Sequence, residues 1–119
     1  MKAGELNKLK IALRRFAKQR DWDRYHSPKN LSMALTVEAG ELLEHFQWLT
    51  ERQSRRLNRD TRRAVEQEIA DIQIYLVRLA DKVGIDITNA VEKKMRLNRS
   101  HYPANLVRGS AKKYTHYQK

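Results

Sequence analysis

The sequence predicts an all-α protein, a bundle of four helices completed by association of copies of the same chain. Apolar residues recur mostly three and four positions apart, the period of amphipathic helices, and no stretch alternates in the manner of a strand. Only four glycines and two prolines punctuate 119 residues. The apolar stripes are wide, and Ile69, Ile74 and Val77 lie off them, so one chain of this size leaves hydrophobic surface that a second copy can cover.

The elements follow in order. A first helix from about Glu5 to Gln19 carries Leu6, Leu9, Leu13 and Phe16 on one face. The segment RDWDRYHSPKN breaks the pattern, and Ser27 followed by Pro28 is a favourable cap and first-turn pair for a second helix reaching about Leu49. Residues 50–60 are polar and read as a connector, with Asp60 as N-cap of a third helix to Val83 and Gly84 as its C-terminal stop. Asp86 caps a fourth helix through about Asn98, which ends before Tyr102-Pro103. Residues 104–119 contain no acid and little periodicity, as expected of a mobile basic tail behind a single domain over residues 1–103.

Composition excludes several chemistries. Without cysteine there are no disulfides, no thiolate catalysis and no sulfur-ligated zinc. No run of about eighteen apolar residues occurs, and MKAGELNKLK lacks the apolar stretch of a signal peptide, so the expectation is a cytoplasmic protein with no membrane partner. The net charge of +11 attracts polyanions: nucleic acid, acidic headgroups or free nucleotides. Much of the excess lies in Arg14, Arg15, Lys18 and Arg20, in Arg52, Arg55, Arg56, Arg59, Arg62 and Arg63, and at the C-terminal end. Such runs also serve as ordinary solvated faces.

The most informative pattern is a repeated pair of acids. Projected at about 100° per residue, Leu31, Leu35, Leu42, Phe46 and Leu49 form the stripe of the second helix, with Glu38 at its edge and Glu41 one turn on. Val65, Ile72, Leu76, Leu79 and Val83 form that of the third, and Glu68 and Asp71 take the same angular place. The two helices match at an offset of thirty residues. Helices joined by a short connector pack antiparallel, which brings four carboxylates to one edge of the core. Like charges in a partly buried site repel and lose hydration, so either Arg and Lys partners or divalent cations must compensate. With no basic residue inside either stripe, cations are favoured, and oxygen-only ligands suit Mg²⁺ or Mn²⁺ rather than zinc. The histidines, His26, His45, His101 and His116, show no pairing at ligand spacing.

The segments FAKQRDWDRYHSPKNLSMAL, VEAGELLEHFQW, EIADIQIYLVRLAD and KKMRLNRSHYP together resemble the all-α NTP pyrophosphatase superfamily, the MazG-like proteins, and more closely its dCTP pyrophosphatase branch. The resemblance covers most of residues 16–103 and implies a MazG-like bundle with Mg²⁺ held by Glu38, Glu41, Glu68 and Asp71. The implied reaction hydrolyses the bond between the α and β phosphates of a nucleoside triphosphate to the monophosphate and pyrophosphate, with dCTP or a modified pyrimidine deoxynucleotide as the implied substrate. Glu38 or Glu41 is the candidate general base. Trp22, His26, Trp48 and Tyr75 correspond to residues that grip base and sugar, and Lys94 and Asn98 to positions that contact phosphate or sugar. Similar proteins are dimers or dimers of dimers with active sites at the subunit boundary, which implies a homodimer or homotetramer. Val37 stands before Glu38 where the wider superfamily often has a second glutamate, as in the dCTP-like branch; Leu13 stands where some dCTP-cleaving relatives carry a histidine. The competing reading is a basic helical module that binds nucleic acid without catalysis. It leaves the acid pairs unexplained.

Overall fold

Local caps set nearly every boundary in the computed structural model, which describes residues 3–111. Helix α1 (Ala3–Gln19) closes where Asp21 adopts φ 52°, so that the Trp22 N–H reaches Ala17 O at 2.9 Å and the Asp21 N–H reaches Lys18 O at 3.2 Å. This left-handed closure usually falls to glycine, and aspartate tolerates it better than most side chains. A single 3₁₀ turn, Asp23–Tyr25, leads to α2 (Pro28–Glu44). There Ser27 Oγ accepts the Asn30 N–H at 3.1 Å and Pro28 opens the first turn, as the sequence predicts. Asn30 Nδ2 donates back to Tyr25 O at 3.0 Å, tying the loop to the helix start.

The connector departs from expectation. Helix α2 stops at Glu44 rather than near Leu49, and the chain tightens into turns through Leu49. Thr50 is the cause: it is extended (ψ 164°) and caps a short helix α3 (Glu51–Ser54) through a capping box with Gln53. The N-cap of α4 (Arg59–Lys82) is Asn58, whose Oδ1 accepts the Thr61 N–H at 2.8 Å. Asp60, the expected cap, lies instead in the first turn, where its charge complements the helix dipole. Gly84 ends α4 as expected, at φ 71°, with the Ile85 N–H on Ala80 O. Asp86 caps α5 (Ile87–His101), which runs three residues past Asn98 before Tyr102 breaks it. The segment taken for tail begins with a short helix, α6 (Ala104–Val107), because Pro103 starts a new turn; residues 112–119 lie outside the described part. Among the described residues there is no strand.

Helices α2 and α4 form the main packing pair, and they are antiparallel: His26, just before α2, bonds Arg78 late in α4, while His45, just after α2, faces Glu68 in its first half. Helix α1 packs on the second half of α4, where Arg14 holds Asp81, and α5 packs chiefly on α1. Serving two neighbours changes which side of α4 is buried. Val77 (2% exposed), Ala80 and Arg78 are enclosed, whereas Leu76 and Val83 of the expected stripe are exposed. On α1 the enclosed residue is Ala17, and Phe16 is open. Among the described residues the buried apolar set is small: Ala17, Leu31, Val65, Val77 and Ala80. The radius of gyration, 17.9 Å, exceeds the ~13 Å of a compact domain of about 100 residues.

Candidate active site

Two helices of matched period set the site. Glu38 and Glu41 lie one turn apart on α2, and Glu68 meets them from α4; one carboxylate oxygen from each lies within 4.8 Å of the others. All three are half-buried. Asp71, one turn beyond Glu68, stands outside this tight group but close enough for its charge to act on Glu38. Among the described residues no Lys or Arg forms an ion pair with any of the four acids. The neighbour is His45, whose Nε2 lies 3.9 Å from Glu68 Oε1.

The electrostatics show the strain of this arrangement. The Glu38 carboxyl is pushed up to about 7, chiefly because a proton on it bridges to Glu68, then because of burial, and then through Glu41 and the charge of Asp71. Glu68 Oε2 is buried and has no hydrogen-bond donor when the acids are ionised. A proton held at Glu38 partly relieves the cluster, and a divalent cation relieves it fully, because hard oxygen donors at this spacing are what such an ion takes. The residues present therefore fit a divalent metal, with Glu38, Glu41 and Glu68 as the near donors and Asp71 one turn away.

The aromatic candidates separate into two places. Trp22 is 46% exposed and packs edge-on against Phe16 at 5.7 Å, with the Arg20 guanidinium over the other ring. Its indole is therefore supported but open. His26 is half-buried beside it in the same loop, at the α2 start. Tyr75, half-buried, is seven residues past Glu68, two turns toward this loop on the same face of α4. Trp48 is 86% exposed and lies after α2, at the opposite end of the helix pair. Lys94, exposed, and Asn98, half-buried, sit on α5, whose main neighbour is α1, so one chain's packing does not gather them with the acids.

Sequence reasoning missed two residues. His45 could not be paired with Glu68 by spacing, since the α2 end that brings them together was misplaced. Arg78 was hidden in an apolar run: at 3% exposure its Nη2 donates to Asp23 Oδ1 at 2.8 Å and its Nε to His26 Nδ1 at 3.3 Å, with Asp81 Oδ2 at 3.6 Å. Lys82 Nζ also donates to Asp23 Oδ1, at 2.7 Å. These bonds to Lys82 and Arg78 hold the Asp23 carboxyl below its ordinary range, and the Arg14 bond does the same for Asp81. The network pins the Trp22–His26 loop to α4.

Residues 33–116 match the sequence model of the MazG-like family. The chain belongs to that family. Among family relatives, human dCTP pyrophosphatase 1 is 45% identical over 102 residues, covering 84% of this chain and 60% of its own. The mouse dCTP pyrophosphatase 1 is 47% identical over the same length and coverage. The chain thus spans about 60% of the length of these relatives. A crystallographic structure of a pyrophosphatase from Archaeoglobus fulgidus superposes with a TM-score of 0.78 at 39% identity, covering 83% of this chain and 93% of that one. Family membership thus covers the segments holding all four acids, since both acid pairs fall within the matched residues.

Proposed function

We propose that the chain is a Mg²⁺-dependent nucleoside triphosphate pyrophosphohydrolase that releases a nucleoside monophosphate and pyrophosphate, with dCTP or a modified pyrimidine deoxynucleotide as substrate. The observation that carries this reading is the uncompensated acid cluster: three carboxylates within 4.8 Å, no Lys or Arg partner among the described residues, and a buried oxygen lacking a donor. The similarity to proteins named dCTP pyrophosphatase and to the archaeal pyrophosphatase supports the substrate class and the reaction.

Glu38, Glu41, Glu68 and Asp71 would hold the metal. When bound, Mg²⁺, or Mn²⁺ in its place, neutralises the triphosphate and makes an attacking water more acidic. The water oxygen forms a bond to the α-phosphorus as the bond to the bridging oxygen breaks, and pyrophosphate leaves. A carboxylate not fully engaged as ligand, Glu38 or Glu41, takes the water's proton. Trp22, His26 and Tyr75 lie toward one end of the α2–α4 pair and would receive base and sugar, the open indole by stacking. Trp48 lies at the other end and would serve the same nucleotide from a second copy. Lys94 and Asn98 would reach phosphate or sugar in the same way.

Uncovered apolar surface on the site-bearing helices, including Met33, Val37, Leu43 and Ile69, supports a homodimer or homotetramer. No described helix is long and apolar enough to cross a membrane, and a cytoplasmic location suits a nucleotide substrate. The test is incubation with a panel of canonical and modified deoxynucleoside triphosphates plus Mg²⁺, with the products identified. Monophosphate plus pyrophosphate, lost in Glu38→Gln, supports the reading. Diphosphate plus orthophosphate contradicts it. Salt-dependent nucleic-acid binding without turnover, unchanged by Glu38→Gln, would favour the basic binding module instead.

A further inference from the structure

Arg78 takes no part in the acid cluster, yet it is the one charged residue enclosed among the described residues. We infer that Arg78 is a positioning residue that holds His26 with its single ring proton on Nε2, so that His26 offers one neutral hydrogen bond to an uncharged acceptor on the base or sugar of the nucleotide. The tautomer follows from donor chemistry. A guanidinium has only donors, so the Arg78 Nε–H directed at His26 Nδ1, at 3.3 Å, requires a lone pair there, and the ring proton must then sit on Nε2. Asp23 at 2.8 Å and Asp81 at 3.6 Å fix the guanidinium from two other directions, so Arg78 is not free to turn away. Protonating His26 a second time would displace this bond and set two cations together. Burial, Arg78 and Lys82 all lower the His26 pKa, and only Asp23 opposes them.

The consequence for recognition is one of kind. A phosphate would favour a cationic donor, whereas a neutral N–H is matched to a carbonyl oxygen, a ring nitrogen or a sugar oxygen. Position agrees: along the axis of α4 Arg78 lies about 15 Å past Glu68 and about 10 Å past Asp71, with the open indole of Trp22 in the same loop as His26. A nucleotide with its phosphates at the acids would reach His26 by extending its base in this direction. The acceptor's identity rests on the proposed nucleotide reaction; the tautomer does not.

Two measurements separate these parts. Long-range ¹H–¹⁵N correlation spectra of the whole chain carrying ¹⁵N-histidine, at pH 7 and without nucleotide, are expected to show His26 protonated at Nε2 alone. A signal from an Nδ1–H tautomer or a doubly protonated ring would overturn the inference. This spectrum uses the unaltered chain, so it decides the matter even if variants fold poorly. In Arg78→Met, which keeps most of the aliphatic stem, His26 is expected to populate both tautomers and KM for the best nucleoside triphosphate to rise about tenfold, with kcat within about threefold. Mixed tautomers with unchanged KM would overturn the positioning role. Absence of any turnover by the unaltered chain would count against the proposed function, while the spectrum would still decide the Arg78–His26 assignment.

Discussion

Glu38 concentrates the chemistry of the site in one side chain. Its ordinary value is 4.5, and in the folded, metal-free chain it is pushed up to about 7 by the facing carboxylates and burial. Between those values the native state binds a proton that the unfolded state has released, so this group's stabilisation is complete below about pH 4.5 and is lost as pH rises through 7. Asp23 and Asp81 run the other way: their lowered values add stability above the ordinary aspartate range, lost only in acid. His26, whose value is lowered, adds stability as pH rises through its ordinary 6.5, so the Glu38 contribution is read by comparison. With a chelator present, the change in urea midpoint from pH 5.5 to pH 8 is expected to be more negative in the unaltered chain than in Glu38→Gln, and an equal change in both would contradict the assignment. The acids themselves were legible in the sequence, because the three-residue spacings in Glu38–Glu41 and Glu68–Asp71 place them on one helix face whatever else the chain does. His45 and Arg78 were not. Their partners are 23 residues away for His45 and 52 and 55 for Arg78, and only tertiary packing brings such groups together.

At the scale of elements, the caps explain both what could be foreseen and what could not. Ser27-Pro28, Gly84 and Asp86 each supply a donor, acceptor or backbone freedom that works locally, so their roles are written in a few adjacent residues. Thr50-x-x-Gln53 carries an equally local signal, and it divides what polar composition alone presents as a connector. The side of α4 that is buried is a different kind of fact: it depends on α1 packing on α4, in whose second half Val77 and Ala80 are enclosed, and the 3.6-residue period cannot report that. The joint between α1 and α4 is made by Asp81, which accepts two hydrogen bonds from Arg14, at 2.7 and 2.5 Å, and lies beside buried Arg78. Asp81→Ala unties α1 and removes the carboxylate that faces Arg78 at 3.6 Å, and is expected to cost about 1.5 kcal/mol, as for the loss of a hydrogen bond to a charged group. Chemical denaturation measures it; a loss below about 0.5 kcal/mol, typical of a surface site, would contradict the assigned role.

The whole molecule is an acid cluster set in a chain of net charge +11. Such a field draws polyanions toward the protein, the proposed triphosphate among them, and its steering weakens with salt. Among the described residues few are enclosed, and Val37 and Ile69, next in sequence to Glu38 and Glu68 respectively, are more than half exposed. Light scattering at micromolar concentration is expected to return about two or four times the 14.1 kDa chain mass, and a monomer would contradict the homo-oligomer. The central claim is that the carboxylates of α2 and α4 tolerate one another because they bind divalent ions. Calorimetric titration of Mn²⁺ into the metal-free protein, with Glu68→Gln alongside, tests it most directly. The account predicts saturable binding to the unaltered chain, with protons released below pH 7, and binding weakened at least about tenfold in Glu68→Gln. No saturable binding, or equal binding by both proteins, would contradict it.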